Sequence, residues 1–298
     1  MSNVKFFGGE QYPVEMHKVR IIQKLTLLPI EERLRAAEEA GYNTFLLQNA
    51  DVFLDMLTDS GVNAMSQEQQ AAMFRADDSY AGSATFTRLK EKVVEVFGMP
   101  HFLPTHQGRA AEHILSSVLV RPGTFVPMNY HFTTSKAHVV ENGGEVLELI
   151  TPEGLEVTSE LPFKGNMDVA ALRALVEEHG AEAISFVRIE AGTNLIGGQP
   201  VSLANMREVA AVCRPLGIPL VMDASLIADN LYFAKMREPQ CAGLEIRDIM
   251  RAMCDEFDIV YFSARKVGFG RGGGICVRDE AMFRRLRAFR WIASNTMW

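Results

Sequence analysis

Cysteine, positive charge and long apolar runs are all scarce in this chain, and each shortage removes a class of protein. The four cysteines in 298 residues, Cys213, Cys241, Cys254 and Cys276, are scattered without metal-ligand spacing. Neither a zinc module nor a disulfide framework is indicated, and a reducing cytoplasm suits them. No apolar run approaches the roughly 20 residues needed to span a bilayer, and Met1 to Gly9 lacks the apolar centre of a signal peptide. A cytoplasmic location with no membrane partner is therefore expected. Thirty Lys and Arg against 37 Asp and Glu give a formal charge of −7. The densest basic cluster, Arg284-Arg285-Leu286-Arg287, reads as a solvated helix face, so a nucleic-acid partner has no electrostatic support.

What the chain does have is apolar residues, 48% of the total, enough for one large core. Strand-like apolar runs alternate with helix-period segments, which predicts an α/β fold with a mostly parallel central sheet flanked by helices. Helices are expected near Ile30 to Ala40, Ser66 to Arg75, Thr85 to Phe97, Arg109 to Val120, Asp168 to Glu178, Ser202 to Cys213 and Ile246 to Glu256. Strands are expected at Phe125 to Pro127, Glu145 to Ile150, Ala183 to Ile189, Pro219 to Met222, Ile259 to Phe262 and Gly274 to Val277. There is no internal repeat and no interdomain linker. Residues 1–50 read as an N-terminal arm with helices, and 51–298 as one large domain.

Three features together carry chemistry. Asp223 ends the apolar run Ile218 to Met222, and Lys266 follows the run ending Ile259-Val-Tyr-Phe262. Alone, an Asp there caps a helix and a Lys is solvated. The third feature is Thr105-His-Gln-Gly-Arg-Ala110, a small-residue turn that opens a helix. A helix start offers free backbone N–H groups and a positive dipole end to a phosphate, and Arg109 adds a bidentate donor. An amine to hold an aldehyde, a carboxylate to keep a ring nitrogen protonated and a phosphate cradle are the requirements of pyridoxal 5'-phosphate.

Over nearly its whole length the chain resembles the tyrosine phenol-lyase and tryptophanase family of β-eliminating lyases. The resemblance rests on Ala40-Gly-Tyr-Asn-Thr-Phe-Leu-Leu47, Leu57-Thr-Asp-Ser-Gly-Val-Asn-Ala-Met-Ser66, Tyr80-Ala-Gly-Ser83, Pro104-Thr-His-Gln-Gly-Arg109, Phe132-Thr-Thr134, Asn194-Leu-Ile-Gly-Gly-Gln-Pro-Val-Ser202 and Ser263-Ala-Arg-Lys266. It implies the large domain of the aspartate aminotransferase-like fold, fold type I, as a homo-oligomer of two or four chains acting on an L-amino acid.

The roles it implies are specific. Lys266 holds the cofactor as a Schiff base and later removes the substrate α-proton; Asp223 pairs with the pyridine nitrogen. Gln107, Gly108, Arg109, Ser263 and Arg265 cradle the phosphate, Arg265 standing where tyrosine phenol-lyase and tryptophanase have lysine. Phe132 stacks on the cofactor ring, though a core phenylalanine is the plain alternative. Tyr80 protonates the leaving group, which a phenol does well only with its pKa lowered by nearby positive charge; a packing tyrosine is its alternative. Thr58, Ser60 and Asn194 hold the substrate carboxylate, and Thr133 matches the tyrosine-cleaving branch. A potassium ion is implied at Asp78 and the Gly61 carbonyl.

Two departures bear on the activity. Leu226 replaces the family's arginine three residues after the pyridine-binding aspartate. The family's small C-terminal domain, with its carboxylate-clamping arginine and much of the side-chain pocket, has no counterpart before Trp298. A second subunit, a natural loss or an artificially shortened chain would each account for this. The tail Phe289 to Trp298, with two tryptophans in eight residues, favours a covering partner over a tail folded on its own domain. Loss of a β-substituent giving pyruvate and ammonia, or β-replacement, is the expected reaction. Aldol cleavage, transamination or racemisation and a non-catalytic supporting role are the alternatives. Against the last, a chain freed from chemistry has no physical reason to keep a buried lysine beside an acid.

Overall fold

In a strand buried on both faces, alternate residues belong to different cores, and this alternation organises the protein. The structure, a computed structural model, describes residues 2–5, 11–14, 27–53, 66–77, 79, 81–266 and 272–294. The chain forms two compact units, 1–70 and 71–298. The first holds an antiparallel hairpin, β1 (Ser2–Lys5) with β2 (Gln11–Val14), helix α1 (Ile30–Glu39) and the start of α2 (Gln67–Phe74). None of the α1 residues is buried.

The second unit contains α3 (Ala84–Phe97), β3 (His101–Thr105), α4 (Gly108–Leu119), β4 (Phe125–Met128), α5 (Thr133–Glu141), β5 (Glu145–Glu148), α6 (Pro152–Leu155), α7 (Val169–His179), β6 (Val187–Glu190), α8 (Leu203–Cys213), β7 (Leu220–Asp223), α9 (Ile227–Arg237), α10 (Ile246–Cys254), β8 (Ile259–Ser263), β9 (Gly273–Val277) and α11 (Glu280–Ser294). Its sheet has seven strands in the order β3-β9-β8-β7-β6-β4-β5. The pairings of β5, β4, β6, β7 and β8 are parallel, and only β9 pairs antiparallel, with β3 and β8. One face packs Leu220, Met222, Val260 and Cys276 against α3, α7, α8, α9 and α10. The other packs Val221, Ile259, Ile275 and Val277 against α4, α5 and Leu286 of α11. The expected mostly parallel α/β sheet, with helices on both sides, is what forms.

Several elements differ from expectation. His101–Thr105 is a strand despite Pro104, because it lies at the sheet edge, where a missing N–H costs least. Strand β6 runs later than Ala183 to Ile189, reaching Glu190, while Ala181–Ala183 forms a 3-10 turn. Helices α5, α9 and α11 escape the periodic reading; α5 buries only Ser135 and Val139, too little to leave an apolar stripe. All four cysteines are free and buried, and burial pushes the Cys213 thiol up to about 12 and Cys241 to about 11. Among the described residues no helix is long and apolar enough to cross a membrane.

Candidate functional site

Parallel strands put their carboxyl ends on one side of the sheet, where ligands gather. There β6, β7 and β8 set Glu190, Asp223 and Tyr261 side by side, since Glu190 pairs in register with Asp223 and Asp223 with Tyr261. Two positions back from Glu190 on the same face lies Arg188, 1% exposed. Its Nη2 donates to Asp223 Oδ2 at 2.6 Å, its Nε to the Tyr261 hydroxyl at 2.9 Å, and both Nη atoms reach Glu190 Oε2 at 3.3 Å. The Tyr261 hydroxyl donates to Asp223 Oδ2 at 2.8 Å and also lies 3.2 Å from Glu112 of α4. Asp223 Oδ1 accepts the Ser225 N–H at 2.9 Å.

These contacts decide the charges. Burial works to raise the Asp223 pKa, but Arg188, then Lys266 and the Ser225 hydrogen bonds, outweigh it and hold Asp223 below the ordinary carboxylate range. Glu190 goes the other way, to about 7: burial dominates, and Arg188 offsets it only in part. Arg188 sits closer to Asp223, 2.6 against 3.3 Å, so Glu190 receives the smaller share of one cation. Burial, then the charge of Asp223, likewise raises Glu112. The site thus keeps Asp223 as its anion, while its two glutamates resist ionisation.

A titration follows from Glu190. The unfolded chain releases this proton near 4.5 and the native state only near 7, so between those values the native state binds more protons and loses stability as pH rises. Urea unfolding of the wild type and Glu190→Gln at pH 5 and 7.5 is expected to show the wild type losing about 2–3 kcal/mol more than the variant over the interval. Equal losses in both proteins would exclude a raised Glu190.

The turn expected to cradle a phosphate is a place of close backbone approach. A Cβ added to Gly108, the first residue of α4, would lie 2.8 Å from Ser263 Cβ, and one at Gly273 would lie 2.9 Å from the Gly108 nitrogen. Glycine lets the α4 N-terminus come up against Ser263, the last residue of β8. The Ser263 N–H donates to Ser225 Oγ at 3.1 Å, tying this strand end to the loop after Asp223. Lys266 Nζ stands 4.6 Å from the centre of the Phe132 ring, at the start of α5. A planar ring with an aldehyde, a basic nitrogen and a phosphate fits these residues. Asp223, held as an anion at this end of the sheet, supplies the counter-charge that a protonated ring nitrogen needs.

Other expected residues take varied places. Gln107 precedes α4; Arg109, in its first turn, is exposed, as is Thr133 in the first turn of α5; Arg265 is half-buried. Asn194 is half-buried, its backbone N–H donating to Glu190 Oε1 at 3.2 Å. Leu226 lies where a Cβ on Gly192 would come within 2.9 Å of its own Cβ, and it offers no side-chain donor. Thr58, Ser60, Gly61, Asp78 and Tyr80 lie outside the described residues, as do the tail side chains from Arg290 to Trp298. Sequence reasoning missed Arg188, Glu190, Glu112, Tyr261 and Asn129, whose buried side chain accepts the Glu190 N–H and donates to the Gly165 and Glu190 carbonyls. An arginine and a glutamate two apart in an apolar strand was the available signal.

Comparison with known proteins points the same way. The family model described as beta-eliminating lyase matches residues 55–297. The chain is 41% identical over 275 residues to the tyrosine phenol-lyase of Pasteurella multocida, an alignment covering 92% of this chain and 60% of that protein. It is also 41% identical over 279 residues to a probable tryptophanase of Aeropyrum pernix, covering 93% and 59%. The chain therefore spans about three fifths of the length of these relatives. Among solved structures a Leishmania major threonine aldolase has a TM-score of 0.58 at 18% identity, covering 78% of this chain and 66% of that one, a likeness of fold.

Proposed function

The chain belongs to the beta-eliminating lyase family, and from that premise we propose that it is the cofactor-binding part of a pyridoxal-phosphate lyase acting on an L-amino acid. The observation that supports this most is the convergence of Lys266, Phe132, Asp223 and the glycine-opened start of α4 at one end of the sheet. When bound, the cofactor supplies a ring that withdraws electrons from the substrate α-carbon. The protein does the rest. Asp223 holds the ring nitrogen, Phe132 fixes the ring plane, and the backbone of α4 with Gln107, Arg109, Ser263 and Arg265 anchors the phosphate. The α-proton passes to Lys266 Nζ. The β-substituent leaves with a proton from the Tyr80 hydroxyl, and hydrolysis gives pyruvate and ammonia. Thr58, Ser60, Thr133 and Asn194 orient the substrate, and a potassium ion at Asp78 and Gly61 completes this reading.

Pyruvate release from a panel of L-amino acids, with tyrosine, tryptophan, serine and S-alkylcysteine among them, tests the proposal in potassium and in sodium buffers. Pyruvate formed with an equivalent of phenol, indole or thiol is the expected result; no pyruvate from any of them overturns it. Leu226 favours a second reading, another reaction of the same cofactor such as aldol cleavage or transamination, which would appear as glycine plus an aldehyde or as an oxo acid. Assembly as a homo-oligomer, or with a second chain that supplies the rest of the family's length, is read by native mass spectrometry of co-expressed material.

A further inference from the structure

Behind Asp223 lies a layer of side chains that none of the roles above uses. Arg188 is fully enclosed, and its donors are taken by four oxygen acceptors, Asp223 at 2.6 Å, the Tyr261 hydroxyl at 2.9 Å, Glu190 at 3.3 Å and the Tyr130 carbonyl at 3.4 Å, with the Met128 sulfur at 3.9 Å. Tyr261 adds a second hydrogen bond to the same Asp223 oxygen. Burying a guanidinium on a central strand is expensive, and an apolar side chain would serve packing at least as well. The arrangement therefore asks for a reason beyond stability.

Its geometry supplies one. A carboxylate shared between a cation and a pyridine nitrogen is a weaker base than one facing the nitrogen alone, because the cation stabilises the anion that would otherwise draw the ring proton. We propose that Arg188 is a positioning residue which acts through Asp223: it fixes the carboxylate toward the cofactor ring and weakens its hold on a protonated ring nitrogen, with Glu190 competing for the same guanidinium. Arg188 and Glu190 would then set how strongly the site withdraws electrons, and so which bond at the α-carbon it favours breaking. This rests on the cofactor reading of the site. The titratable groups facing Arg188 are Glu190 on its own strand, Asp223 on β7, Tyr261 on β8 and Glu112 on α4; burial raises both glutamates, while Arg188 and Lys266 hold the aspartate low against its own burial.

Binding of two probes separates this role from a structural one. Dissociation constants are measured for pyridoxal 5'-phosphate and for its carbocyclic analogue, in which C–H replaces the ring nitrogen. Their ratio reports the contact between Asp223 and the nitrogen, and loss of general packing leaves it unmoved. Arg188→Met is expected to raise the preference for the nitrogen-containing cofactor roughly three- to tenfold, as Asp223 becomes the stronger acceptor. Glu190→Gln is expected to shift it the opposite way, roughly threefold, because Arg188 is then left to Asp223. Should Arg188→Met not fold, the sign of the Glu190→Gln shift decides alone. A ratio unchanged in the variants that fold, or one moving the same way in both, overturns the proposal. A wild type that binds neither probe overturns the cofactor reading as well, which distinguishes the two failures.

Discussion

Replacing Lys266 with alanine is expected to abolish covalent attachment of pyridoxal 5'-phosphate and to lower lyase turnover by on the order of 10⁴-fold, the upper range for removing a positioned proton-transfer group. The expectation comes from where the amine sits. Nζ is 4.6 Å from the centre of the Phe132 ring, and its charge helps hold Asp223 low and offsets part of the rise of Glu190. It therefore shares one electrostatic environment with the acid expected at the far side of the ring. The fold should not suffer, since Lys266 is only half-buried and follows the last residue of β8. Borohydride reduction followed by peptide mass analysis reads the result directly. The wild type should carry the reduced cofactor on the peptide containing Lys266, and Lys266→Ala should carry none while keeping its circular dichroism. Label on another lysine, or none in the wild type, would remove the chemical basis of the proposed activity.

Legibility divides along a physical line. Asp223 and Lys266 could be singled out because each stands at or just past the end of an apolar run, where chain direction alone puts it on the carboxyl side of a parallel sheet. The turn before α4 could be found because glycine at a helix start has few other uses. Packing then brings two of these stretches together: Gly108 lies against Ser263, from a strand more than 150 residues away in the chain. The sheet's parallel part was legible for a similar reason, the regular exchange of apolar strand and amphipathic helix along the sequence.

The network behind Asp223 was not legible, because its meaning lies in pairs distant in sequence. Arg188 meets Asp223 across 35 positions and Tyr261 across 73, while Tyr261 meets Glu112 across 149. Read along β6, the arginine and glutamate look like the solvent side of a half-exposed strand. They are instead enclosed by α4 and by β7 and β8, and only the register of three strands brings their charges together. Helix α9 was missed because its buried face, Ile227, Asn230, Leu231 and Ala234, includes an asparagine. That asparagine is a latch: it accepts the Gly192 and Val201 N–H groups and donates to the Val201 carbonyl. Periodicity counts such a residue as polar, although in the fold every one of these bonds is buried.

The same network makes Asp223 the position where activity and stability fail together, and two substitutions should separate them. Asp223→Asn keeps the shape and the Ser225 contact but loses the negative charge that holds a protonated ring nitrogen. Turnover is expected to fall about 10²- to 10³-fold, the usual size for losing one preorganised electrostatic group. Asp223→Ala also removes the partner that Arg188 holds at 2.6 Å. Stripping one member from a buried ion pair costs about 3–5 kcal/mol. Here the lower end, about 3 kcal/mol, is expected, because Glu190 at 3.3 Å remains to take the guanidinium and should ionise more readily once Asp223 is gone. Urea unfolding at pH 7.5 measures the loss, and unfolding of Asp223→Ala,Glu190→Gln supplies the control. With both carboxylates removed Arg188 has no anion on β6 or β7, and the double variant should be destabilised by more than the two single losses combined. Additive losses would mean that Glu190 does not compensate for Asp223, and that the two acids do not share the charge of Arg188.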